Sequence, residues 1–430
     1  MRFKETEVGI IPEEWEVLEI KEIGDVVGGG TPKTSVKEYW NGEIPWITPK
    51  DLSGYANRYI FKGERSITQM GFDNSSTKRL PKGAVLFSSR APIGYLAIAG
   101  NDMCTNQGFK SIVCDDSRIF NIFLYYLMLI KRTDLENIAG GSTFKEVSGK
   151  TVKEFKIPVP PLNEQKAIAK ILSSLDEKIE LNNQINKTLE EIAQTIFKHW
   201  FIDFEFPNEN GEPYKSSGGE MVESELGMIP KGWKVEVLKN LVKEVVTGKT
   251  PSTRKHEYYG DKYPFITIPD MHNKIFITET ERYLSELGNE VQIKKLLPSN
   301  SILVSCIATV GLVAINVYES HTNQQINSII PKYSEDLFFF YEYLNLMEDK
   351  LKAIGSTGST TLNVNKGEFE RLKFIYPNRE TIAAFNDIAR QNFAIIKYKQ
   401  LENENLTQLR DTLLPKLMSG EIPVPLEKAE

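Results

Sequence analysis

Gly248-Lys249-Thr250 is the segment of this chain that comes nearest to a phosphate-binding loop, in which backbone amides and a lysine cradle a phosphate. The glycine such a loop needs five residues earlier is Lys243, and Pro251 follows at once. Its repeat counterpart, Gly29-Gly30-Thr31-Pro32, has no lysine, so a structural turn is the better reading. Gly28-x-Gly30 is followed by Lys33 where a dinucleotide fingerprint requires its third glycine. Pro160-Pro161 follows Val159 and lacks the Asn/Asp-Pro-Pro-aromatic signature of an amino-methyltransferase. His199, His256, His272 and His321 show no metal-ligand spacing. Scattered serines and aspartates form no nucleophile motif. The residues describe a binder rather than a catalyst.

The elements that position these residues occur twice. Glu7-Val8-Gly9-Ile10-Ile11-Pro12 with Trp15 returns as Glu225-Leu226-Gly227-Met228-Ile229-Pro230 with Trp233. Thr31-Pro32 returns as Thr250-Pro251, and Pro45-Trp46-Ile47-Thr48 as Pro264-Phe265-Ile266-Thr267. Leu80-Pro81, Gly94, Thr105-Asn106-Gln107 and Gly141-Ser142-Thr143 return as Leu297-Pro298, Gly311, Thr322-Asn323-Gln324 and Gly358-Ser359-Thr360. An offset this long exceeds solenoid periods, so each copy is a whole domain. Two copies in one chain suit a two-part target or two identical partners.

With 430 residues, 40% hydrophobic and 26% charged, the chain has room for two cores. The start, Met1-Arg2-Phe3-Lys4-Glu5, carries no apolar leader run, which predicts a cytoplasmic protein. The longest apolar run, residues 119–130, is about half a bilayer span and recurs at 337–347, so no membrane segment is expected. Cys104, Cys114 and Cys306 lack Cys-x-x-Cys spacing and indicate neither a disulfide frame nor a zinc site. The net charge of −6 does not exclude nucleic acid, because phosphate contacts answer to local basic clusters.

Residues 1–160 read as short strands and turns with a helix near 118–135; the strand signals include 84–87 and 111–113. A long helix is expected over 161–206, capped by Asn163, with neither Pro nor Gly between Pro161 and Pro207. Ile168, Leu172, Leu175, Ile179, Leu189 and Ile196 give it one narrow apolar stripe over about 55 Å. Such a stripe needs a partner helix. Residues 378–420 supply it, with Phe385, Ile388, Ile395, Leu406, Leu409 and Leu413 in the seam. Asn182, Asn186, Asn392, Lys399 and Glu402 interrupt the two stripes. Residues 207–224 have linker composition, 225–377 form the second domain and 421–430 a tail. The fold class is therefore α+β: two repeated mixed domains separated by two long helices that pair as an antiparallel coiled coil, with pseudo-two-fold symmetry.

This order, with Glu-x-Gly-x-Ile-Pro-x-x-Trp at 7–15, Asn106-Gln107-Gly108-Phe109, the segment Phe197-Lys198-His199-Trp200-Phe201-Ile202-Asp203-Phe204 and Leu413-Leu414-Pro415-Lys416-Leu417-Met418-Ser419-Gly420, closely resembles the specificity subunit of type I restriction–modification systems. The resemblance covers nearly the whole chain. It implies that each copy is a target recognition domain reading half of an interrupted site in double-stranded DNA, and that the coiled coil sets the gap. It also implies that two methyltransferase subunits dock on this frame and restriction subunits join them. S-adenosylmethionine, ATP and Mg would then be bound by those partners, with no cofactor in this chain. Two departures stand out: Ser88-Ser89-Arg90 faces Ser305-Cys306-Ile307, and Gly108-Phe109 becomes Gln325-Ile326. A two-domain adaptor that binds only proteins, and an unrecognised enzyme, are the other readings. DNA affinity in the presence of methyltransferase subunits separates the first from the main reading, and methyl transfer by the chain alone would revive the second.

Residues shared by both copies cannot tell two half-sites apart, so divergent polar loops are the candidate readers. Arg and Lys match guanine edges, and Asn and Gln match adenine. In the first domain these are Lys33, Lys50, Asn57, Arg58, Asn74, Lys78, Arg79 and Arg90. In the second they are Arg254, Lys255, His256, Lys262, His272, Asn273, Lys274, Lys294 and Lys295. Most such contacts in any DNA interface go to the backbone. Trp200, Phe201 and Phe204 are read as core rather than partner surface. Adding or deleting whole helical repeats in both long helices is expected to change the gap in the recognised motif and leave its half-site letters alone. A methylation map would read this, and altered letters with an unchanged gap would refute it.

Overall fold

The computed structural model describes residues 2–55, 57–140, 145–356 and 361–425, so the repeated triplets Gly141-Ser142-Thr143 and Gly358-Ser359-Thr360 lie outside the described residues. Both copies open on a β-hairpin whose turn glycine takes positive φ: Gly9 at 111° and Gly227 at 98°. Phe3–Thr6 pairs with Gly9–Pro12, and Met221–Ser224 with Gly227–Pro230. Thr6 Oγ1 and Ser224 Oγ donate to the carbonyls of those glycines at 2.7 and 2.6 Å. Met221–Ser224, read from sequence as the end of a linker, is thus the first strand of the second copy. The segment before it is also folded, with Tyr214 stacked on Phe206 at 4.6 Å.

Each copy then builds a five-stranded sheet, with the same strand order in both, and a four-stranded sheet whose order differs. In the first, a five-stranded sheet runs Gly24–Gly28, Lys110–Cys114, Val85–Ser89, Ile93–Ala99, Tyr59–Ile60, the last pair parallel. A four-stranded sheet runs Arg65–Ile67, Trp40–Ile47, Met103–Thr105, Arg79–Leu80. The second copy repeats the five-stranded order as Glu244–Thr247, Ile326–Ile330, Ile302–Ile307, Thr309–Asn316, Phe276–Ile277. Its four-stranded sheet runs Tyr259–Gly260, Tyr283–Leu284, Tyr263–Ile266, His321–Thr322, because the counterpart of Trp40–Ile47 is split around Tyr283–Leu284 and Leu297 contributes only a bridge to Ser320. The expected 118–135 helix is broken at Lys131 into Asn121–Ile130 and Arg132–Asn137.

The two long helices span Leu162–Phe201 and Arg379–Met418, 40 residues each, or about 60 Å. Asn163 lies inside the first helix rather than ahead of it, and the Pro161 carbonyl accepts from the amides of Glu164 and Gln165. The chain divides into two units, Met1–Leu181 with Asn403–Glu430 and Asn182–Glu402, so each helix gives one half to each unit. Within each unit the two halves pack antiparallel. In the first, Ile168, Ala169 and Leu172 share a core with Leu414, Leu417 and Met418, and Asp176 meets Arg410. In the second, Phe197 and Trp200 meet Phe385, and the buried Asn182 donates to Glu402 at 2.8 Å.

The seam differs from the expected one in three places. Ile388, Ile395 and Leu409 are 38%, 45% and 47% exposed. Spaced seven and fourteen apart, they drift off the 3.6-residue period, and the buried face is Ile382, Phe385, Ala389, Phe393 and Ile396 instead. Leu175, Ile179, Leu189, Ile196, Leu406 and Leu413 are half-buried, while Ile168 and Leu172 are buried. Trp200, Phe201 and Phe204 are core residues of the second unit, as read, packed with Trp233 and Phe339.

That core contains an unusual carboxyl. Glu342 on the helix Asp336–Asn345 is buried, its Oε1 lacks a hydrogen-bond partner among the described residues, and Tyr341 beside it donates to Glu190 at 3.2 Å. Burial, with the field of Glu190 second, raises the Glu342 carboxyl from its ordinary 4.5 to about 8. The folded value lies above the unfolded one, so the contribution to stability is present at acid pH and is lost as pH rises from about 4.5 through about 8. Glu342→Gln is therefore expected to stabilise the second unit near neutral pH, by up to roughly 3 kcal/mol, and to flatten the pH dependence. Denaturant unfolding from pH 5 to 8 checks this; parallel curves for the two proteins would overturn it.

Candidate nucleic-acid interface

The residues repeated in both copies are engaged in holding the scaffold. Thr31 Oγ1 donates to Gln107 Oε1, and Thr250 Oγ1 to Gln324 Oε1 at 2.7 Å. Asn106 Oδ1 accepts from the Gly108 amide at 2.9 Å, and Asn323 Oδ1 from the Gln325 amide at 3.0 Å. A Cβ at Gly29 would lie 2.0 Å from the Asn106 carbonyl oxygen, and at Gly248 2.2 Å from that of Asn323, so both turns require glycine. The amides of Gly248 and Lys249 donate to the carbonyls of Ile326 and Thr322 at 3.2 and 2.9 Å. Those donors are spent on the sheet, so this segment cannot cradle a phosphate as a phosphate loop does.

In the first domain the candidate readers fall into three groups. Lys33, Asn74, Lys78 and Arg79 are exposed and come together where the glycine turn meets the loop before Arg79–Leu80: the Gly30 amide donates to the Thr105 carbonyl at 2.9 Å, and Thr77 Oγ1 to the same oxygen at 3.1 Å. Asn74 caps a short helix, its amide group donating to the Met70 carbonyl at 2.9 Å, and the Arg79 guanidinium lies 5.4 Å from the Phe72 ring centre. Lys50 and Asn57 stand on a second loop, with Lys50 paired to Glu64 at 2.8 Å. Arg90 is apart from both, half-exposed and paired with Glu146 at 3.5 Å.

Arg58 is a correction. It is 3% exposed and points inward to the first long helix, where Nε donates to Glu180 Oε1 at 3.2 Å and Nη2 to Glu177 at 3.4 Å. Its own backbone amide also donates to Glu180, at 3.0 Å. Such a side chain cannot touch a base. A buried ion pair of this kind costs about 3–5 kcal/mol when one partner is removed, because the other charge is left unpaired.

In the second domain Arg254, Lys255 and His256 are exposed on the turn ahead of Tyr259–Gly260, with Lys255 Nζ 3.0 Å from the Tyr258 hydroxyl. Lys262 is paired with Glu286 at 3.1 Å. His272, Asn273 and Lys274 follow the helix Ile268–Met271, Asn273 at φ 58°. Lys294 and Lys295 end a short helical turn before the bridge of Leu297 to Ser320.

Two pairs of cations are repeated between the copies: Lys78 with Lys295, both among the residues expected to diverge, and Arg65 with Arg282, which are not among them. Lys78 and Lys295 each precede the equivalent bridging leucine by two residues, so they occupy one position in the two copies. Neither can distinguish one half of a target from the other. Arg65 and Arg282 follow Glu64 and Glu281, whose amides donate to the capping carboxylates of Asp51 and Asp270 at 2.7 and 2.9 Å. The Arg65 guanidinium stacks 3.5 Å from the Trp40 ring centre, and that of Arg282 lies 5.5 Å from Phe265. Stacking fixes the plane of an exposed guanidinium while its edge remains free to donate. The Glu-Arg pair recurring at 64–65 and 281–282 is the signal that finds them.

Comparison with known proteins agrees with this architecture. The family model for the type I restriction modification DNA specificity domain matches twice, at residues 12–191 and 230–411. The MjaIX specificity subunit, a type I restriction enzyme component of Methanocaldococcus jannaschii, is 38% identical over 98% of this chain and 96% of its own length. The HindI specificity subunit of Haemophilus influenzae is 36% identical over 90% of this chain and 99% of its own. Among solved structures, the S subunit of a type I system from M. genitalium superposes with a TM-score of 0.59 at 16% identity, covering 95% of this chain and 96% of that one. With two matching segments and full-length relatives above 30% identity, the chain belongs to the type I restriction–modification specificity-subunit family.

Proposed function

We propose that this chain is the sequence-recognition subunit of a type I restriction–modification complex, in which each domain reads one half of a two-part site in double-stranded DNA. The observation that carries it is the pair of domains built on the same five-stranded sheet order, in which repeated residues hold the scaffold and exposed polar loops diverge. A molecule that had to read one sequence twice would have no use for that divergence. The long helices set the gap and, with the scaffold, dock two methyltransferase subunits, which restriction subunits join. Methyl transfer and ATP-driven cleavage belong to those partners, with S-adenosylmethionine, ATP and Mg bound there. Among the described residues no His, Cys, Asp or Glu cluster suits a metal ion, and the one candidate phosphate turn has its amides occupied. No helix among the described residues is long and apolar enough to cross a membrane, and the proposed setting is the cytoplasm, where host DNA is.

Within this reading the shared cations Lys78, Lys295, Arg65 and Arg282 hold phosphates, and the divergent residues, Arg254 and Lys33 among them, read bases. A base-resolution methylation map of host DNA with and without the gene is expected to lose one interrupted motif on deletion. No change, with the methyltransferase subunit expressed and assembled, would favour a protein-only adaptor. In DNA binding by the assembled complex, Lys295→Ala is expected to weaken all sequences alike and to lower the salt slope by about 1. Arg254→Ala is expected to cost about 1–3 kcal/mol and to relax one position. Sequence-selective loss for Lys295→Ala would reverse the assignment.

A further inference from the structure

Arg58 is held at its backbone amide and carbonyl and at Nε and Nη2, while its buried Nη1 has no hydrogen-bond partner among the described residues. Its amide and Nε both donate to Glu180 Oε1, Nη2 donates to Glu180 Oε2 at 3.3 Å and to Glu177, and its carbonyl accepts from the Ile98 amide at 2.7 Å. Glu180 and Glu177 belong to the first long helix, and Ile98 to the central hairpin of the five-stranded sheet. A third carboxylate, Asp176, lies 4.0 Å from Nε; it accepts from the Tyr126 hydroxyl at 2.5 Å and from Arg410 Nη1 at 2.7 Å. Loop, sheet, domain helix and both long helices of the first unit therefore meet in one buried ionic knot.

The second copy makes the same joint with different chemistry. Ile275 stands where Arg58 does, immediately before the strand Phe276–Ile277 that pairs in parallel with Ile315 and Asn316. Phe393 stands where Asp176 does, each fourteen residues after the first residue of its helix. Phe393 stacks on Phe338 at 4.4 Å and faces Phe276 and Tyr341. A polar tie is present there too, one residue later: the Phe276 amide donates to Gln400 of the second long helix at 3.1 Å, where the first copy uses the Arg58 amide and Glu180. In both copies, then, the entry to the parallel edge strand is tied by its backbone to a long helix. The first copy adds an ion pair there, whereas in the second the Lys397 ammonium lies 6.0 Å from the Phe276 ring centre.

We infer that Arg58 is a positioning residue for half-site reading by the first domain, holding the loop that presents Lys50 and Asn57 against the first long helix without touching DNA. The inference rests on the proposed reading of a two-part site. Because Ile275 stands in place of Arg58 in the second copy, so that the Arg58–Glu180 pair has no counterpart there, disturbing Arg58 is felt in one half-site alone.

The test uses the chain assembled with its methyltransferase subunits, and methylation rates on duplexes carrying single substitutions in either half of the mapped motif. Arg58→Met and Glu180→Gln are expected to lower methylation of the full site by roughly tenfold. Both are expected to flatten the substitution penalties in the same one half-site and to leave the other half unchanged. Arg58→Lys, which keeps the charge but loses the fork, is expected to recover part of the discrimination. Should Arg58→Met fail to assemble, Glu180→Gln carries the test, since Arg58 keeps Asp176 and Glu177. Penalties unchanged in both halves, or flattened equally in both, would overturn the inference. A wild-type complex that methylates no two-part motif would instead overturn the reading beneath it.

Discussion

A 40-residue helix with a narrow apolar stripe has no stable existence in water by itself, and this chain contains two. Each half of each helix must be covered on one side by the opposing helix and on another by a domain. In the second unit that cover is aromatic: Phe197, Phe201 and Phe385 lie within 6 Å of one another, with Phe339 and Trp233 beside them. In the first it is aliphatic, Ile168, Leu172, Leu414 and Leu417, closed by charge at Asp176 and Arg410. The domains are consequently not beads on a linker. Each is built onto a helix pair, and the direction in which its loops face is set there.

The two copies show how far side-chain chemistry can diverge beneath one backbone plan. Ladder hydrogen bonds join main-chain groups and are indifferent to residue type, so the order of the five-stranded sheet survives where the joints do not. The turns that bring strands together are less tolerant. Gly94 and Gly311, at φ 91° and 101°, each have a neighbouring side chain (Arg132, Glu348) within 2.5 Å of where a Cβ would stand. Residues at such places repeat because geometry demands them. Surface loops carry no such demand, which leaves them free to differ between two halves of a target.

Charge is handled unequally as well. The first unit buries a network in which the carboxylates of Asp176 and Glu180 each find a cation or a donor. The second buries Glu342 with one oxygen unpartnered among the described residues, and burial pushes its carboxyl well above the usual range. The first arrangement holds its geometry by direction, since hydrogen-bonded ion pairs weaken steeply when misaligned; the second relies on shape and apolar area.

The sequence by itself determined the repeat, the two long helices, the strand-rich texture of the domains and the failure of every catalytic motif. These depend on local period and spacing, which survive without knowledge of neighbours. It misread three things, two of them for want of those neighbours. Ile388, Ile395 and Leu409 look like seam on a seven-residue period, yet the domain widens the buried face toward Ile382, Ala389 and Phe393 and leaves them outside. Lys78 and Lys295 sit in loops that look divergent, yet the repeated Leu80-Pro81 and Leu297-Pro298 two residues on already align them, and the shared strand bridge bears this out. Arg58 reads as a loop cation beside Asn57. Only the tertiary structure brings Glu177 and Glu180, more than a hundred residues away, against it, and burial among carboxylates decides that this arginine faces the helix rather than the solvent.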